Sequence, residues 1–122
     1  MLHKTTVAIT TDGAGAATVY LGTKIRGHLL SIIYRPGTIA TGGDLVITLE
    51  TALTPVLTVT NAGTADVYYY PRAPANAVAN AVAVTDSAEM IPMVDERIKV
   101  VVAQGGATKT GSIEVIWNTE MP

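Results

Sequence analysis

Apolar and polar side chains alternate along most of the chain, with the period of two that is typical of half-buried β-strands. The alternation is clearest over residues 45–50, 98–102 and 113–117, where Leu, Ile, Val or Trp occupies every second position. Clusters of Gly, Pro, Asn and Asp separate such segments and predict turns. We therefore expect eight or nine short strands, the last two forming a hairpin around residues 104–108.

The composition favours an all-β fold. The chain has 18 Thr, 14 Val and 10 Ile, about a third of its 122 residues, and β-branched side chains prefer strands to helices. A chain of this length can bury a core without disulfides, and it has no Cys. We predict a single antiparallel β-sandwich over residues 1–122, jelly-roll-like, with an extended insertion rich in Ala, Asn and Val.

One predicted strand, residues 24–34, departs from simple alternation. Leu29 and Leu30 are adjacent apolar residues, and a second apolar pair follows at positions 32 and 33. A β-bulge near Gly27 would shift the alternation, and burial of both strand faces would remove the need for it. Either arrangement accounts for the pattern.

The insertion covers residues 72–86. Ala occupies every odd position from 73 to 83, and the tetrapeptide Ala-Asn-Ala-Val occurs twice. A helix would place Val78 and Val82 one turn apart, and a strand would place them on one face opposite the Ala series. Neither pattern is strongly amphipathic. We predict an arm or long loop, whose small uncharged side chains suit packing against another chain.

Charge is scarce and unevenly distributed. Charged residues make up 15% of the chain, where about 25% is usual, and the net charge is -2. Residues 51–65 and 73–85 carry no charge, whereas residues 95–99 carry four. Basic residues do not cluster and no long apolar run is present, so we expect neither direct nucleic-acid contact nor membrane contact. The uncharged segments predict contact with a permanent protein partner.

Sequence motifs for catalysis are weak. The Gly-rich segments 13–17 and 105–111 look like nucleotide-binding loops, but neither precedes a predicted helix. His3 and His28 have no ligand spacing around them, and no nucleophile motif is present. Residues 95–97, Asp-Glu-Arg, predict a solvated strand entry with local ion pairs. We therefore expect a protein that is not an enzyme and has no cofactor or metal.

Tyrosine and methionine supply the candidate contact residues. In a strand, Tyr68 and Tyr70 share one face and Tyr69 takes the other, so part of this triplet reaches the surface. Exposed Tyr suits a protein interface or a sugar-stacking platform, although a half-buried strand is equally compatible. Residues 90–94 predict an apolar loop that either contacts a partner or lines the core. The candidate interface residues are Tyr68, Tyr70, Val78, Val82, Met90 and Met93.

Two segments carry a resemblance to a known family. Residues 68–74, Tyr-Tyr-Tyr-Pro-Arg-Ala-Pro, are followed later by residues 95–106 and 109–115, which run from Asp-Glu-Arg-Ile-Lys to Ser-Ile-Glu-Val. Together they resemble small virion structural proteins of tailed bacteriophages, over roughly the C-terminal half. The resemblance implies a β-sandwich that decorates or cements the capsid surface of a virion assembled in the host cytoplasm. It implies two partners, the major capsid protein and further copies of this chain as a dimer or trimer.

Two alternatives stay open. A collar, head-to-tail or tail accessory protein of the same virion has no distinguishing sequence feature. A carbohydrate-binding adhesion module would stack sugars on Tyr68 or Tyr70, with Trp117 as a further candidate. Trp117 alternates in phase with Ile113 and Val115, which predicts an inward side chain and weakens this alternative.

Overall fold

Nine β-strands form the regular structure of the computed structural model, which describes residues 1–74, 76, 78–80, 82–83 and 87–119. The described residues contain no helix. The strands are β1 (Leu2–Thr10), β2 (Ala17–Tyr20), β3 (Ile25–Arg35), β4 (Asp44–Leu49), β5 (Pro55–Val59), β6 (Val67–Tyr69), β7 (Ile91–Glu96), β8 (Ile98–Ala103) and β9 (Thr110–Asn118).

The strands form two antiparallel sheets packed against each other. The five-stranded sheet has the order β1-β9-β3-β6, with β7 pairing beside β6 on the same edge of β3. The four-stranded sheet has the order β2-β8-β4-β5. This arrangement confirms the all-β, antiparallel β-sandwich predicted from the sequence. The finer jelly-roll assignment stays a prediction.

The inward-facing side chains of both sheets make one core. The alternation predicted for β4, β8 and β9 is confirmed, because their apolar side chains in phase are all buried. The predicted hairpin of β8 and β9 is wrong, since β8 pairs with β2 and β4 whereas β9 pairs with β1 and β3. Two strands with inward apolar side chains can face each other across a core as well as lie side by side, and here they face each other.

Strand β3 combines a bulge with burial on both faces. Its register with β9 shifts between Leu29 and Ser31, so the extra residue is Leu30 and the bulge lies beyond the predicted position. Gly27 has a different role, because its φ is 127° and an added Cβ would collide with the carbonyl group of Asn118. Ile33 faces away from the core cluster and is nevertheless only 5% exposed.

The predicted arm leaves the sheet between two strands that share one edge. β6 pairs with residues 32–34 of β3, and β7 pairs with residues 25–29. Between them, isolated antiparallel bridges join Ala73 to Glu89 and Asn76 to Ala83, and residues 78–80 form a turn. The rest of the predicted arm, at positions 75, 77, 81 and 84–86, lies outside the described residues, and the arm and domain boundaries stay predictions.

Candidate interaction surface

The Tyr triplet follows strand alternation. Tyr68 and Tyr70 are 56% and 65% exposed, whereas Tyr69 is half-buried and packs against the core. Tyr69 lies opposite Ile32 and Tyr68 opposite Ile33, so the two rings are on different faces of the five-stranded sheet. The exposed rings are therefore on the outer face of this sheet, at the edge from which the arm leaves.

The strand register places Tyr68 at the end of a row of polar and apolar residues that crosses the sheet. Four strands contribute adjacent residues to this row, which runs from Thr6 through Glu114 and Ile33 to Tyr68. Ile33 is the buried member, whereas Glu114 is half-buried and Tyr68 is exposed. The Glu114 carboxylate therefore lies on the strand at one side of Ile33, and the Tyr68 ring lies on the strand at its other side.

Arg35 binds the acidic groups of this face. Its Nη1 donates to Asp66 Oδ2 at 2.7 Å, and its Nε and Nη2 donate to the two Glu114 carboxylate oxygens at 3.2 and 3.3 Å. Lys4 Nζ lies 3.8 Å from Glu114 Oε2. The hydrogen bonds to Glu114, as the largest cause, and to Asp66 raise the pKa of Arg35, and the bond from Arg35 is the largest cause lowering the pKa of Glu114.

The consequence of this network is a fixed and mostly neutralised surface. A carboxylate held ionised by a bidentate guanidinium is a poor proton donor at neutral pH, so its chemistry suits positioning rather than proton transfer. Sequence reasoning missed this cluster, because it brings together residues far apart in the chain.

The arm is anchored next to the exposed rings. Arg72 Nη1 donates to the carbonyl oxygens of Leu30 at 2.9 Å and of Pro71 at 2.8 Å. Leu30 is the bulged residue of β3, at the gap between the stretches that pair with β7 and β6. Beyond this anchor Val78 is fully exposed and Val82 is 58% exposed. Tyr68, Tyr70, Val78 and Val82 are therefore exposed along one short stretch of chain, and we call them the arm-edge surface.

The methionine prediction needs a correction. Residues 90–94 are not a loop, because β7 starts at Ile91 and pairs with β3. Alternation in this strand turns Ile91 and Met93 inward, and Met93 is a core residue that is 2% exposed. Met93 is therefore wrong as a surface contact. Met90 is half-buried, and the exposed apolar residue of this strand is Val94.

Pro92 obscured this strand in the sequence, because Pro is commonly a strand breaker. It is tolerated here since β7 is an edge strand, where one side of the backbone needs no ladder hydrogen bond.

Glu96 also differs from its predicted environment. It is buried, and its carboxylate accepts hydrogen bonds from the backbone N–H groups of Thr51 at 2.9 Å and Ala52 at 3.0 Å. Its neighbour Asp95 is exposed, with a φ of 58°, and lies within 4 Å of two basic side chains, those of Lys24 and Arg26. Asp95 thus has the predicted solvated ion pairs, and Glu96 instead links β7 to the loop between β4 and β5.

The histidines are in two different environments. His3 stacks on Trp117, with ring centroids 5.2 Å apart. Trp117 is buried, as predicted, and offers no platform to a sugar. Within the described residues, His28 Nδ1 is buried without a hydrogen-bond partner, and His28 lines an open cavity of about 570 Å³. Its lining residues are Arg26, Gly27, His28, Pro92, Met93, Val94 and Thr119.

The described residues contain no group of three His, Cys, Asp or Glu side chains that could hold a metal ion. They also contain no helix that is long and apolar enough to cross a membrane.

Comparisons with known proteins found similarity in structure at low sequence identity. No family model matches the chain, and no curated protein matches it. Among solved structures, a mutant of a family 29 carbohydrate-binding module aligns with a TM-score of 0.44 and 14% identity, covering 98% of this chain and 94% of the module. The infectious bursal disease virus structure of the Gt strain aligns with a TM-score of 0.38 and 15% identity. That alignment covers 96% of this chain and 32% of the viral chain.

Proposed function

We propose that this chain is a non-enzymatic structural protein of a bacteriophage virion, a capsid decoration or cement protein that bridges major capsid subunits. The resemblance of residues 68–74, 95–106 and 109–115 to such proteins suggests the class. The observation that carries the proposal is the arm-edge surface, where exposed Val78 and Val82 follow two exposed Tyr rings and the Arg72 anchor. A neighbour covering both would bury apolar side chains that now face water.

An exposed apolar side chain gains free energy when another chain covers it. Val78 is fully exposed on an arm, and covering an apolar side chain gains roughly 25 cal/mol per Å² of buried area. A single contact of this kind gives little affinity after the losses of association. Repetition over a closed shell adds many such contacts, so a small module with a protruding arm suits the reinforcement of a capsid.

Copy number in purified virions tests the proposal. Quantitative mass spectrometry would compare this chain with the major capsid protein, and a cryo-electron microscopy map would locate it. A fixed proportion to the major capsid protein over the whole shell supports decoration. A number fitting a single ring overturns decoration in favour of the collar, head-to-tail or tail alternative. Absence from the particle overturns the virion role altogether.

A pair of variants tests the surface itself. Val78→Asp combined with Val82→Asp places charge on the arm, and Val94→Asp is a matched control because Val94 is exposed on a strand outside the arm-edge surface. We expect the double variant to bind capsids lacking this protein much more weakly than the control does. Equal binding of the two proteins would refute the arm as a contact.

A second candidate function rests on Tyr68 and Tyr70. Tyr68 lies opposite Ile33, two residues from Arg35 on β3, and with the exposed Tyr70 it offers aromatic rings on which a sugar stacks in a carbohydrate-binding adhesion module. A glycan array separates the two functions. Binding that is lost in Tyr68→Ala and Tyr70→Ala supports the module, and no binding at high protein concentration removes it.

A further inference from the structure

The sheet edges of this protein differ in how well they are protected from pairing with another chain. β2 and β6 are only four and three residues long. β5 begins at Pro55 and has an irregular register with β4, and β7 contains Pro92 and is irregular beside Asp95. Short length, proline and bulges are the usual means of blocking edge-to-edge association.

β1 has none of these protections. It is nine residues long, without proline, and it pairs with β9 in unbroken register from Leu2 to Thr10. Within the described part of the chain, β9 is its only strand partner. The second edge of β1 is therefore a long, regular row of backbone groups.

The hydrogen-bond pattern identifies which groups point outward. The Thr11 N–H donates to the Lys109 carbonyl at 2.8 Å, and the Thr119 N–H donates to the Met1 carbonyl at 3.1 Å. Hydrogen-bonded pairs recur at every second residue of an antiparallel ladder, so odd-numbered residues of β1 bond to β9. The N–H and C=O groups that point to the open edge belong to Leu2, Lys4, Thr6, Ala8 and Thr10.

We propose that β1 pairs in antiparallel orientation with β1 of a second copy of this chain, about a two-fold axis at Thr6. This register places Thr6 opposite Thr6, Lys4 opposite Ala8, and Leu2 opposite Thr10. It uses all the outward groups and forms about ten hydrogen bonds. The two five-stranded sheets then become one continuous sheet across the dimer.

The side chains are compatible with this register. The even-numbered residues of β1 are exposed on one face of the sheet. In the proposed register they lie opposite even-numbered residues of the second copy, so these side chains share one face of the combined sheet. On the core side, Thr5 comes opposite Val7, which is half-buried in the single chain. Lys4 meets no like charge across the axis. A self-complementary edge of this kind fits a second copy, since an isologous contact requires one surface to match itself.

Hydrogen exchange tests whether the even-numbered residues of β1 form the new hydrogen bonds. In the single chain the N–H groups of Lys4, Thr6 and Ala8 exchange freely, whereas those of Thr5 and Val7 are protected by β9. Raising the protein concentration should slow exchange at the even positions alone, together with a rise to dimer mass in sedimentation. Even-position exchange that is independent of concentration, a monomer at every concentration, or a trimer would overturn the proposal.

Two variants locate the contact. Thr6→Lys places two positive charges face to face on the axis, and Thr6→Pro removes one outward N–H without removing a bond to β9. Thr18→Lys is the matched control, since Thr18 is exposed on β2, an edge strand of the other sheet. We expect at least about a tenfold weaker dimer for both Thr6 variants and an unchanged dimer for the control. A dimer that survives both Thr6 substitutions lies elsewhere and refutes the assignment.

Discussion

Replacement of Glu96 by Gln should destabilise the sandwich strongly for a change that preserves side-chain size. The buried carboxylate accepts two backbone N–H groups, from Thr51 at 2.9 Å and from Ala52 at 3.0 Å. A Gln amide keeps one acceptor and turns its NH₂ group toward the other N–H, so one bond is lost and two donors face each other. Hydrogen bonds to a charged group contribute about 1.5–3 kcal/mol, and an unsatisfied buried donor costs a similar amount.

We expect Glu96→Gln to lower the free energy of unfolding by about 2–3 kcal/mol. At roughly 4 °C per kcal/mol for a domain of this size, the melting temperature should fall by about 8–12 °C. Urea unfolding followed by circular dichroism measures the free energy, and Glu89→Gln is the matched control because Glu89 is exposed. A loss below about 0.5 kcal/mol, the usual range for surface substitutions, would refute the argument that this carboxylate holds the loop.

Three further substitutions or conditions probe the core and the ion pairs. Tyr34→Phe should raise stability by about 1 kcal/mol in urea unfolding, because the buried hydroxyl has no hydrogen-bond partner within the described chain; a clear loss would show that the hydroxyl is satisfied. Gly27→Ala should cost at least about 3 kcal/mol through collision with the Asn118 carbonyl, whereas Gly13→Ala, in open space, should be nearly neutral. Hydrogen bonds from Arg35 and Arg97 lower the pKa of Glu114 and Glu50 in the folded protein. The stabilisation from these two ion pairs is therefore present above the unfolded-state pKa of about 4.3, and it is lost as the pH falls through the folded-state pKa. Thermal melts across this range should show decreasing stability, and a flat profile would contradict the pairing.

Local patterns predicted the strands well because alternation is a local property. Leu45, Ile47 and Leu49 follow it and are buried, and so do Ile113 and Val115. Pairing is a long-range property, and alternation does not encode it. The predicted hairpin of β8 and β9 failed for this reason, since both strands have inward apolar faces but belong to opposite sheets.

The site was less predictable than the fold. Exposure of Tyr68 and Tyr70 follows from alternation alone, once a strand is recognised there. The Arg35 network depends on the register that brings β3, β6 and β9 together, which no local pattern contains. The burial of Glu96 depends on a loop that lies more than 40 residues away in sequence. Met93 was wrongly assigned to an interface because residues 90–94, which include Pro92, were predicted to form a loop rather than a strand.

The shortage of charge is greater at the surface than the composition suggests, because the structure pairs many of the charges it has. Arg97 donates to both carboxylate oxygens of Glu50 at 2.6 Å and lies over the ring of Tyr20, and Arg35 is shared between Asp66 and Glu114. Such pairs leave little net field outside the molecule. The outer side of β1 and the described part of the arm beyond Arg72 contribute one charged side chain between them, that of Lys4. The two surfaces that we propose as contacts are therefore surfaces from which another protein chain would displace water at a small electrostatic cost.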